Sequence, residues 1–344
     1  MQPDQLKTAT RWVVFVALTS LLLYAGKALF IPVSFALLIA FLLYPFCSWL
    51  EQKGFSRSLA IASGILFITL LISALVFLLV NQLSAFQQSW SGMSSKWDQT
   101  IQRLSEFLTQ QLGISQEGQD EWLKKALNEV VGVLGSVLFG SGAFLAVALI
   151  IPVYVALMLY HRRMLVGLVL DLFPTMEKNK VVGILHKVIR TYYNFIKGML
   201  VVYLCVGLLN SIGLWILDIP NAFLFGFIAS ILTFIPYIGI MIASLLPISV
   251  AWITKDSLWY PIGVIGVFAV VQYLEANVIF PLAVSSRLKI NTLVTLLVMF
   301  AGGILWGAAG MILFIPFIAI GKLIADETDP NSFWARALGN GERN

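Results

Sequence analysis

Apolar runs of about twenty residues recur along this chain, and they decide what it can fold into. A helix needs roughly 20 apolar residues to cross a bilayer core of about 30 Å, and the first such runs are 12–29, 31–50 and 59–80. Only 11% of the 344 residues are charged, against about 25% in soluble domains. The sequence therefore predicts an all-α polytopic membrane protein with about six to eight transmembrane helices.

Basic residues flank the first two runs and predict their orientation. Lys7 and Arg11 precede the first run, and Lys53 and Arg57 follow the second. Cytoplasmic loops carry an excess of Lys and Arg, and the connection between the runs is very short. We therefore expect a tight antiparallel hairpin at the start of the N-terminal transmembrane part, 1–81, with the N-terminus in the cytoplasm. The net charge of +5 lies largely in such flanking residues, so we expect no nucleic acid partner.

The stretch 82–138 is polar, in contrast to the apolar runs that precede it. Its apolar residues recur at spacings of three and four, which indicates amphipathic helices. By the predicted orientation this insert lies outside the cytoplasm. It is either a solvated spacer or a helical crown that packs against neighbouring subunits or the membrane surface, and the continuous apolar stripe favours the crown.

The span 139–160 ends abruptly, and the region that follows it is the most basic in the chain. Within 161–198 the apolar residues Val181, Leu185 and Val188 give a helical stripe. A basic amphipathic helix on the cytoplasmic face is typical of a helix that lies along anionic lipid. We therefore expect an interfacial cytoplasmic region here.

Two apolar segments, 222–253 and 291–324, are too long for one ordinary span and contain helix-breaking residues. Proline lacks a backbone donor and glycine tolerates unusual backbone angles. The break at Pro236, Tyr237 and Gly239 therefore either frees carbonyl groups for a cation or a polar solute, or is a structural kink. The candidate hinge or close-packing positions of the second segment are Gly302, Gly303, Gly307, Gly310 and Pro316.

Each long segment is either one span or a helical hairpin that enters and leaves on the same side. Single spans would place Arg287 and Lys289 outside the cell, whereas hairpins would place both residues, with Lys322, in the cytoplasm. The hairpins fit the excess of basic residues in cytoplasmic loops better. Pairs of broken segments point to a transporter binding site, so we expect 199–325 to be the C-terminal transport region and 326–344 to be a cytoplasmic tail.

Glu275 is a carboxylate inside an apolar run. Within 219–325 the only other acid is Asp256, which stands beside Lys255 in a polar break. A carboxylate at membrane depth costs several kcal/mol unless it is paired, hydrated or protonated. Glu275 is therefore either a pathway residue or a helix-end residue at the headgroup level.

Three further polar or helix-breaking residues are candidates for the same pathway. Asn277 and Pro281 follow Glu275 closely along the chain. Asn210 lies in the run 199–217, where it either faces the pathway or bonds a neighbouring helix.

With these residues in view, the chain resembles the autoinducer-2 exporter family of bacterial membrane proteins over nearly its whole length. The resemblance is carried by 194–198 (NFIKG), 235–239 (IPYIG), 274–281 (LEANVIFP) and the glycines from Gly302 to Gly310 with Pro316. Gly198, which closes the first of these segments, is a further candidate hinge. The chain departs from the family pattern at Ile240, at Asn291-Thr292 and at His161-Arg162-Arg163.

The resemblance implies a homo-oligomeric secondary transporter in the bacterial inner membrane, with a pentamer as the first expectation. Members of the family are linked to export of autoinducer-2 or to sodium or lithium/proton antiport. Three functions stay open: transport of a small polar solute, antiport with Glu275 alternating between proton and cation, and a non-transporting scaffold built on the crown. The sequence has no P-loop and no HExxH motif, so we expect no enzyme, no metal and no cofactor.

Overall fold

The computed structural model describes residues 3–74, 77, 81, 142–233, 238–255, 257–284 and 290–339. Every regular element within these residues is helical, and the predicted all-α fold class is confirmed. The predicted insert 82–138 lies outside the described residues, as do Pro236 and Tyr237.

The described helices follow one another along the chain with short connections. They are α1 (Pro3–Ala25), α2 (Lys27–Gln52), α3 (Arg57–Ala74), α4 (Gly142–Tyr160), α5 (Arg162–Leu172), α6 (Lys178–Ile216), α7 (Ala222–Leu232), α8 (Ile238–Thr254), α9 (Trp259–Ala283), α10 (Thr292–Trp306), α11 (Ala308–Thr328) and α12 (Phe333–Leu338).

Length and composition identify which described helices can cross a membrane. Five of them qualify, namely α2, α3, α6, α9 and α11. Helices α4 and α5 are bent by 71° at His161 and give a sixth candidate if the pair is one span. Helices α7, α8 and α10 are apolar but shorter. The described spans therefore reach the lower end of the predicted range.

The helices pack into two compact units. The first unit consists of Met1–Ile68, Val147–Lys197 and Val284–Asn344, and the second of Thr69–Ala146 and Gly198–Ala283. In the first unit α2, α3 and α4 share a core that includes Cys47 and Val155. In the second unit α6, α7, α8 and α9 share a core that includes Leu214 and Phe225.

Helices α1 and α2 are joined by a single residue, Gly26, at which the chain bends. The Gly26 N–H donates to the carbonyl of Leu22 at 2.8 Å, and its carbonyl accepts from the Phe30 N–H at 2.9 Å, but the helical bonds from residues 27 and 28 to residues 23 and 24 are not formed. Gly26 has φ −89° and ψ 13°, nearly the values of His161, where α4 and α5 bend by 71°. Antiparallel helices need a connecting loop of about 2–5 residues. The predicted tight hairpin is wrong, because a single residue of this conformation bends a helix without reversing its direction.

Helix α6 corrects the prediction that the helical stripe of the region 161–198 lies along anionic lipid. It runs without a break for 39 residues, which is about 58 Å, and so joins this stretch to the following span. Val181, Val188 and Tyr192 are buried, and Tyr192 packs with Leu38 and Leu313 in the first unit. The stripe thus contacts protein, and the interpretation that it lies on lipid is wrong.

The segment 291–324 folds back on itself at Gly307. Gly307 has φ +62°, a conformation that glycine adopts without steric cost. A Cβ on Gly302 would lie 2.5 Å from the Gly310 carbonyl oxygen, so α10 and α11 pack backbone against backbone near the turn. At the far end the Asn291 N–H donates to the Leu338 carbonyl at 3.0 Å. The segment therefore enters and leaves at the same end, as a hairpin does.

The segment 222–253 also folds back on itself. Helix α7 has 11 residues, about 17 Å, which is too short to cross a core of about 30 Å. A Cβ on Gly239, at the start of α8, would lie 1.7 Å from the Leu232 carbonyl oxygen at the end of α7. Beyond the other end of the pair, Lys255 Nζ forms an ion pair with Asp218 Oδ2 at 2.5 Å. The residues that flank this segment therefore also meet at one end.

Candidate functional site

The candidate site lies in the second unit, where α6 packs antiparallel to α9. A Cβ on Gly213 would lie 2.4 Å from Val267 Cγ1, and a Cβ on Gly263 would lie 3.1 Å from Leu217 Cδ2. From the first contact to the second, the residue number increases along α6 and decreases along α9, so the two helices run in opposite directions. Small residues at these contacts let the helices approach closely.

Helix α7 packs against the same stretch of α6. A Cβ on Gly226 would lie 2.2 Å from Ser211 Oγ. One end of α7 lies near Tyr203, because Ser230 Oγ donates to the Tyr203 carbonyl at 2.6 Å. One face of α6 between Tyr203 and Gly213 therefore packs against α7 and α9, while Leu204, Leu208 and Ile212 on its other face are exposed.

Helix α9 contains a π-helical turn over Glu275–Ile279. The Phe280 N–H donates to the Glu275 carbonyl five residues back. Asn277 Nδ2 donates to the Tyr273 carbonyl at 2.9 Å. Pro281 follows the turn and, as a proline, has no backbone N–H that could donate to a carbonyl of the turn. Single π-helical turns inside α-helices are frequent at functional sites.

Three side chains near this turn carry buried polar atoms that make no hydrogen bond to any described residue. They are Asn210, with both its amide nitrogen and its amide oxygen, Gln272 with Oε1, and Glu275 with Oε2. Asn210 is 0% exposed and Glu275 is 8% exposed. Leaving a buried polar atom without a partner costs about 1–3 kcal/mol, and more for a charged group. We call these three residues the polar cluster.

The members of the polar cluster lie at similar depth along the helix axes. Distances along the helix axes can be counted from the contact of Gly213 with Val267, at about 1.5 Å per residue. Asn210 then lies about 5 Å from this contact, Gln272 about 8 Å and Glu275 about 12 Å, all in the same direction. Tyr203 on α6 lies within electrostatic range of Glu275. The cluster is therefore confined to about two helical turns.

The break between α7 and α8 lies at the Glu275 end of the cluster. Ser230 bonds Tyr203, and Leu232 lies beside Gly239, so both described flanks of the break are close to the depth of Tyr203. Thr233 follows the last residue of α7, and its hydroxyl donates a hydrogen bond to the Ala229 carbonyl at 2.8 Å. A broken segment, a π-helical turn and a buried carboxylate thus occur at one level of the second unit.

Only some of the predicted pathway residues carry unbonded buried atoms. Asn210 and Glu275 belong to the polar cluster, whereas Asn277 is exposed and bonds the backbone of its own helix. Sequence reasoning missed Gln272. The signal was its position one helical turn before Glu275, because residues three apart lie on the same face of a helix.

The predicted hinge and packing residues fall mostly in the first unit. Gly302 and Gly310 contact each other across the hairpin, and a Cβ on Gly303 would lie 2.7 Å from Met311 Cε. Gly198 and Pro316 are buried inside α6 and α11, and neither residue breaks its helix.

Comparison with known proteins places this architecture in a family. Residues 13–329 match the sequence pattern of the AI-2E family transporters. The chain belongs to the AI-2E transporter family. It is 26% identical to "Putative transport protein YrrI" of Bacillus subtilis over 87% of this chain and 86% of that protein. It is 22% identical to "Putative transport protein YhhT" of Escherichia coli K12 over 99% of this chain and 97% of that protein.

A third relative of this AI-2E family member has a more specific name. The chain is 23% identical to "AI-2 transport protein TqsA" of Escherichia coli K12, over 87% of this chain and 86% of that protein. The names of these relatives are those of transport proteins.

The side chains of the polar cluster differ in whether they donate or accept hydrogen bonds. The amide of Asn210 both donates and accepts hydrogen bonds, Gln272 Oε1 accepts, and Glu275 accepts when ionised or donates when protonated. Within the described residues no group of three or more His, Cys, Asp or Glu side chains could hold a metal ion. The arrangement suits reversible hydrogen bonding of a small solute, or exchange of a proton or cation on Glu275.

Proposed function

We propose that this AI-2E family member is a secondary transporter that moves a small polar solute through the second unit. The observation that carries the proposal is the polar cluster of Asn210, Gln272 and Glu275, whose buried atoms have no partner among the described residues. A solute that passes the cluster would supply the missing hydrogen bonds at that stage of the transport cycle. Polar side chains inside membrane-spanning helices typically mark substrate or ion pathways.

The broken segment at the same depth supports the proposal. Transporters bind their substrates near broken helices, where unwound backbone offers carbonyl and amide groups. The π-helical turn that begins at Glu275 would provide such groups beside that residue. Movement of the α7–α8 hairpin would then expose the cluster to one side of the membrane.

Autoinducer-2 is the first substrate to test. A small diol carries two hydroxyl groups, and each can pair with one of the unbonded atoms of the polar cluster. The relative TqsA is named as an AI-2 transport protein, and the family resemblance gives the same expectation. Sodium or lithium/proton antiport is the alternative in which Glu275 alone binds the transported ion.

Transport by variants of the polar cluster tests the proposal. We expect cells that express the protein to change their accumulation of autoinducer-2, and Glu275→Gln to lower the initial transport rate at least tenfold, since one hydrogen bond to a charged group contributes about 1.5–3 kcal/mol. The matched control is Tyr273→Phe. Tyr273 is 66% exposed and faces away from the cluster, so its rate should stay within about twofold of wild type, as for most surface substitutions.

A second assay separates the alternative functions. The purified protein is placed in vesicles that contain a pH-sensitive dye, and sodium or lithium is added outside. A cation-dependent pH change that Glu275→Gln abolishes would select antiport over solute transport. Unchanged rates for Glu275→Gln in both assays would contradict the assignment of the polar cluster, and the absence of both activities from the wild-type protein would favour a scaffold.

We also propose that the basic end of the first unit lies in the cytoplasm of a bacterial cell, with the protein in the inner membrane. Arg162 Nη1 donates to Glu51 Oε1 at 2.9 Å, and Arg57 Nη1 donates to the Tyr160 carbonyl at 3.0 Å. The ends of α2 and α4 and the start of α3 therefore share one basic surface, which favours the cytoplasmic side.

The C-terminal part would lie on the same side. Lys187 on α6 forms an ion pair with Glu327 at the end of α11, which joins this end to the basic region. The prediction of a cytoplasmic N-terminus depended on a hairpin between α1 and α2, and the bend at Gly26 does not form that hairpin.

A homo-oligomer, with a pentamer as the first expectation from the family resemblance, completes the proposal. Native mass spectrometry of the full chain in detergent measures the subunit number directly. A spectrum that contains only monomer at every detergent concentration would contradict an oligomer.

A further inference from the structure

A cleft of about 480 Å³ separates α2 from the first part of α6 in the first unit. Tyr44, Ser48 and Trp49 line it from α2, and His186, Arg190 and Tyr193 line it from α6. The spacing of these residues follows one face of each helix. The cleft does not include any residue of the polar cluster.

The charge of the cleft favours an anion. Arg190 lines it, and no acidic residue does. Glu51, the one acid on these two helices, pairs with Arg162. Glu327 on α11 pairs with Lys187, the neighbour of His186 on α6. Arg190 forms no ion pair with any described residue, so its guanidinium is available to a ligand, and it is suited to phosphate oxygens.

Hydroxyl and aromatic groups complete the lining. Tyr44, Ser48 and Tyr193 offer O–H donors, which phosphate oxygens accept. Trp49 is 48% exposed and presents apolar ring surface at the same opening. The combination suits a ligand with an anionic head and an apolar body.

The depth of the cleft matches the headgroup region of a bilayer. Helix α2 has 26 residues, about 39 Å, which exceeds a core of about 30 Å. The lining residues of α2 occupy its last turns, next to Lys53, whose Nζ lies 4.0 Å from the centre of the Trp49 ring. Trp and Tyr collect at the membrane interface, and basic pockets between helices on the cytoplasmic side bind anionic lipid headgroups.

We propose that this cleft binds the phosphate of an anionic phospholipid headgroup. Arg190 holds the phosphate oxygens, the hydroxyls of Tyr44, Ser48 and Tyr193 donate to the remaining oxygens, and Trp49 packs against the glycerol and the first acyl carbons. Free inorganic phosphate has the same anionic chemistry but lacks the apolar body that Trp49 would contact.

Native mass spectrometry of the purified full chain tests the proposal. The protein is titrated separately with phosphatidylglycerol, with phosphatidylcholine and with inorganic phosphate. We expect retention of phosphatidylglycerol in preference to phosphatidylcholine, whose cationic choline opposes Arg190. Arg190→Gln should weaken phosphatidylglycerol binding about fivefold, which is the contribution of one basic residue near an anionic membrane surface.

Two further variants make the result specific to the cleft. Lys180→Gln removes the same charge from an exposed position of α6 that does not line the cleft, and should leave binding unchanged. Tyr193→Phe removes one donor while keeping the ring, and should weaken binding about two- to fivefold, as for the loss of one hydrogen bond.

Equal loss in Arg190→Gln and Lys180→Gln would overturn the site, because binding would then follow net charge alone. No preference for phosphatidylglycerol over phosphatidylcholine would also overturn it. Saturable binding of inorganic phosphate without retention of any phospholipid would overturn the lipid assignment and leave a phosphate site.

Discussion

Asn210 and Ser211 are neighbours on α6, and both are fully buried, but their polar atoms differ in what they contact. Ser211 Oγ donates to the Gly207 carbonyl at 2.7 Å, whereas neither amide atom of Asn210 bonds a described residue. A satisfied hydrogen bond contributes about 0.5–1.5 kcal/mol, and an unsatisfied buried group costs about 1–3 kcal/mol. Asn210 therefore lowers the free energy of unfolding at a position where we propose a function.

Substitution of the two neighbours should shift stability in opposite directions. Asn210→Leu keeps the branching of the side chain and removes the unsatisfied atoms, so we expect it to raise the free energy of unfolding by about 1–2 kcal/mol and to abolish transport. Ser211→Ala should lower the free energy of unfolding by about 1 kcal/mol with little effect on transport. Thermal unfolding in detergent, with the transport assay on the same preparations, measures both. A stability loss in Asn210→Leu would contradict this assignment.

At the residue scale, the sequence identifies a polar atom but not its partners. Asn210 and Glu275 are visible because they interrupt apolar runs. Gln272 lies near the end of such a run, where a polar residue is not unusual. Asn277 and Asn210 are both asparagines among apolar residues, so the sequence does not distinguish them. Only the folded structure separates them, since it buries Gln272 Oε1 without a partner and leaves Asn277 exposed and bonded to its own helix.

At the scale of helices, the glycines of α11 differ according to what surrounds them. A Cβ on Gly310 would lie 1.9 Å from the Gly302 carbonyl oxygen, whereas a Cβ on Gly321 would meet nothing within 4 Å. Both residues have helical backbone conformations. The helix propensity that alanine adds is therefore the same, and the space for the methyl group decides the outcome.

Alanine at these two glycines should have opposite effects. Gly310→Ala forces α10 and α11 apart near the turn, and we expect it to lower the free energy of unfolding by about 1–3 kcal/mol, as for overpacking in a core. Gly321→Ala should raise it by about 0.5–1 kcal/mol, because alanine is the better helix former. Thermal unfolding of the two single variants provides the comparison. Equal midpoints would contradict the close approach of the two helices.

The elements themselves were predictable only in part. Proline and glycine inside overlong apolar runs indicate the two folded-back segments, because those residues weaken or end a helix. The bend at Gly26 could not be predicted, since one glycine permits a turn, a bend or an unbroken helix. The unbroken course of α6 was also hidden, because a basic residue such as Lys197 suggests a membrane boundary but does not interrupt helical hydrogen bonds.

At the scale of the whole chain, contacts between sequence-distant residues support a transmembrane topology. Lys255 meets Asp218 just beyond the end of α6, and Asn291 meets Leu338 beyond the end of α11. Helix α6 has 39 residues, about 58 Å, so its two ends lie on opposite sides of a core of about 30 Å. Because Lys187 near the start of α6 pairs with Glu327, the end of α11 lies with the start of α6 in the first unit. The side of Lys255 is a prediction from the sequence, in which the hairpin orientation places this residue outside the cell.

Cysteine labelling with a membrane-impermeant maleimide tests this topology. Cys47 is buried and Cys205 partly buried, so both are first replaced by serine. In intact cells we expect Lys255→Cys to be labelled and Asn331→Cys to be labelled only after the membrane is permeabilised. Lys255 follows a hairpin that returns to the outer end of α6, whereas Asn331 follows α11 at the basic end. Thr10→Cys in the same background determines the side of the N-terminus. Labelling of Lys255→Cys only after permeabilisation would contradict the orientation, because α6 and the α7–α8 hairpin would then have to end on the basic side.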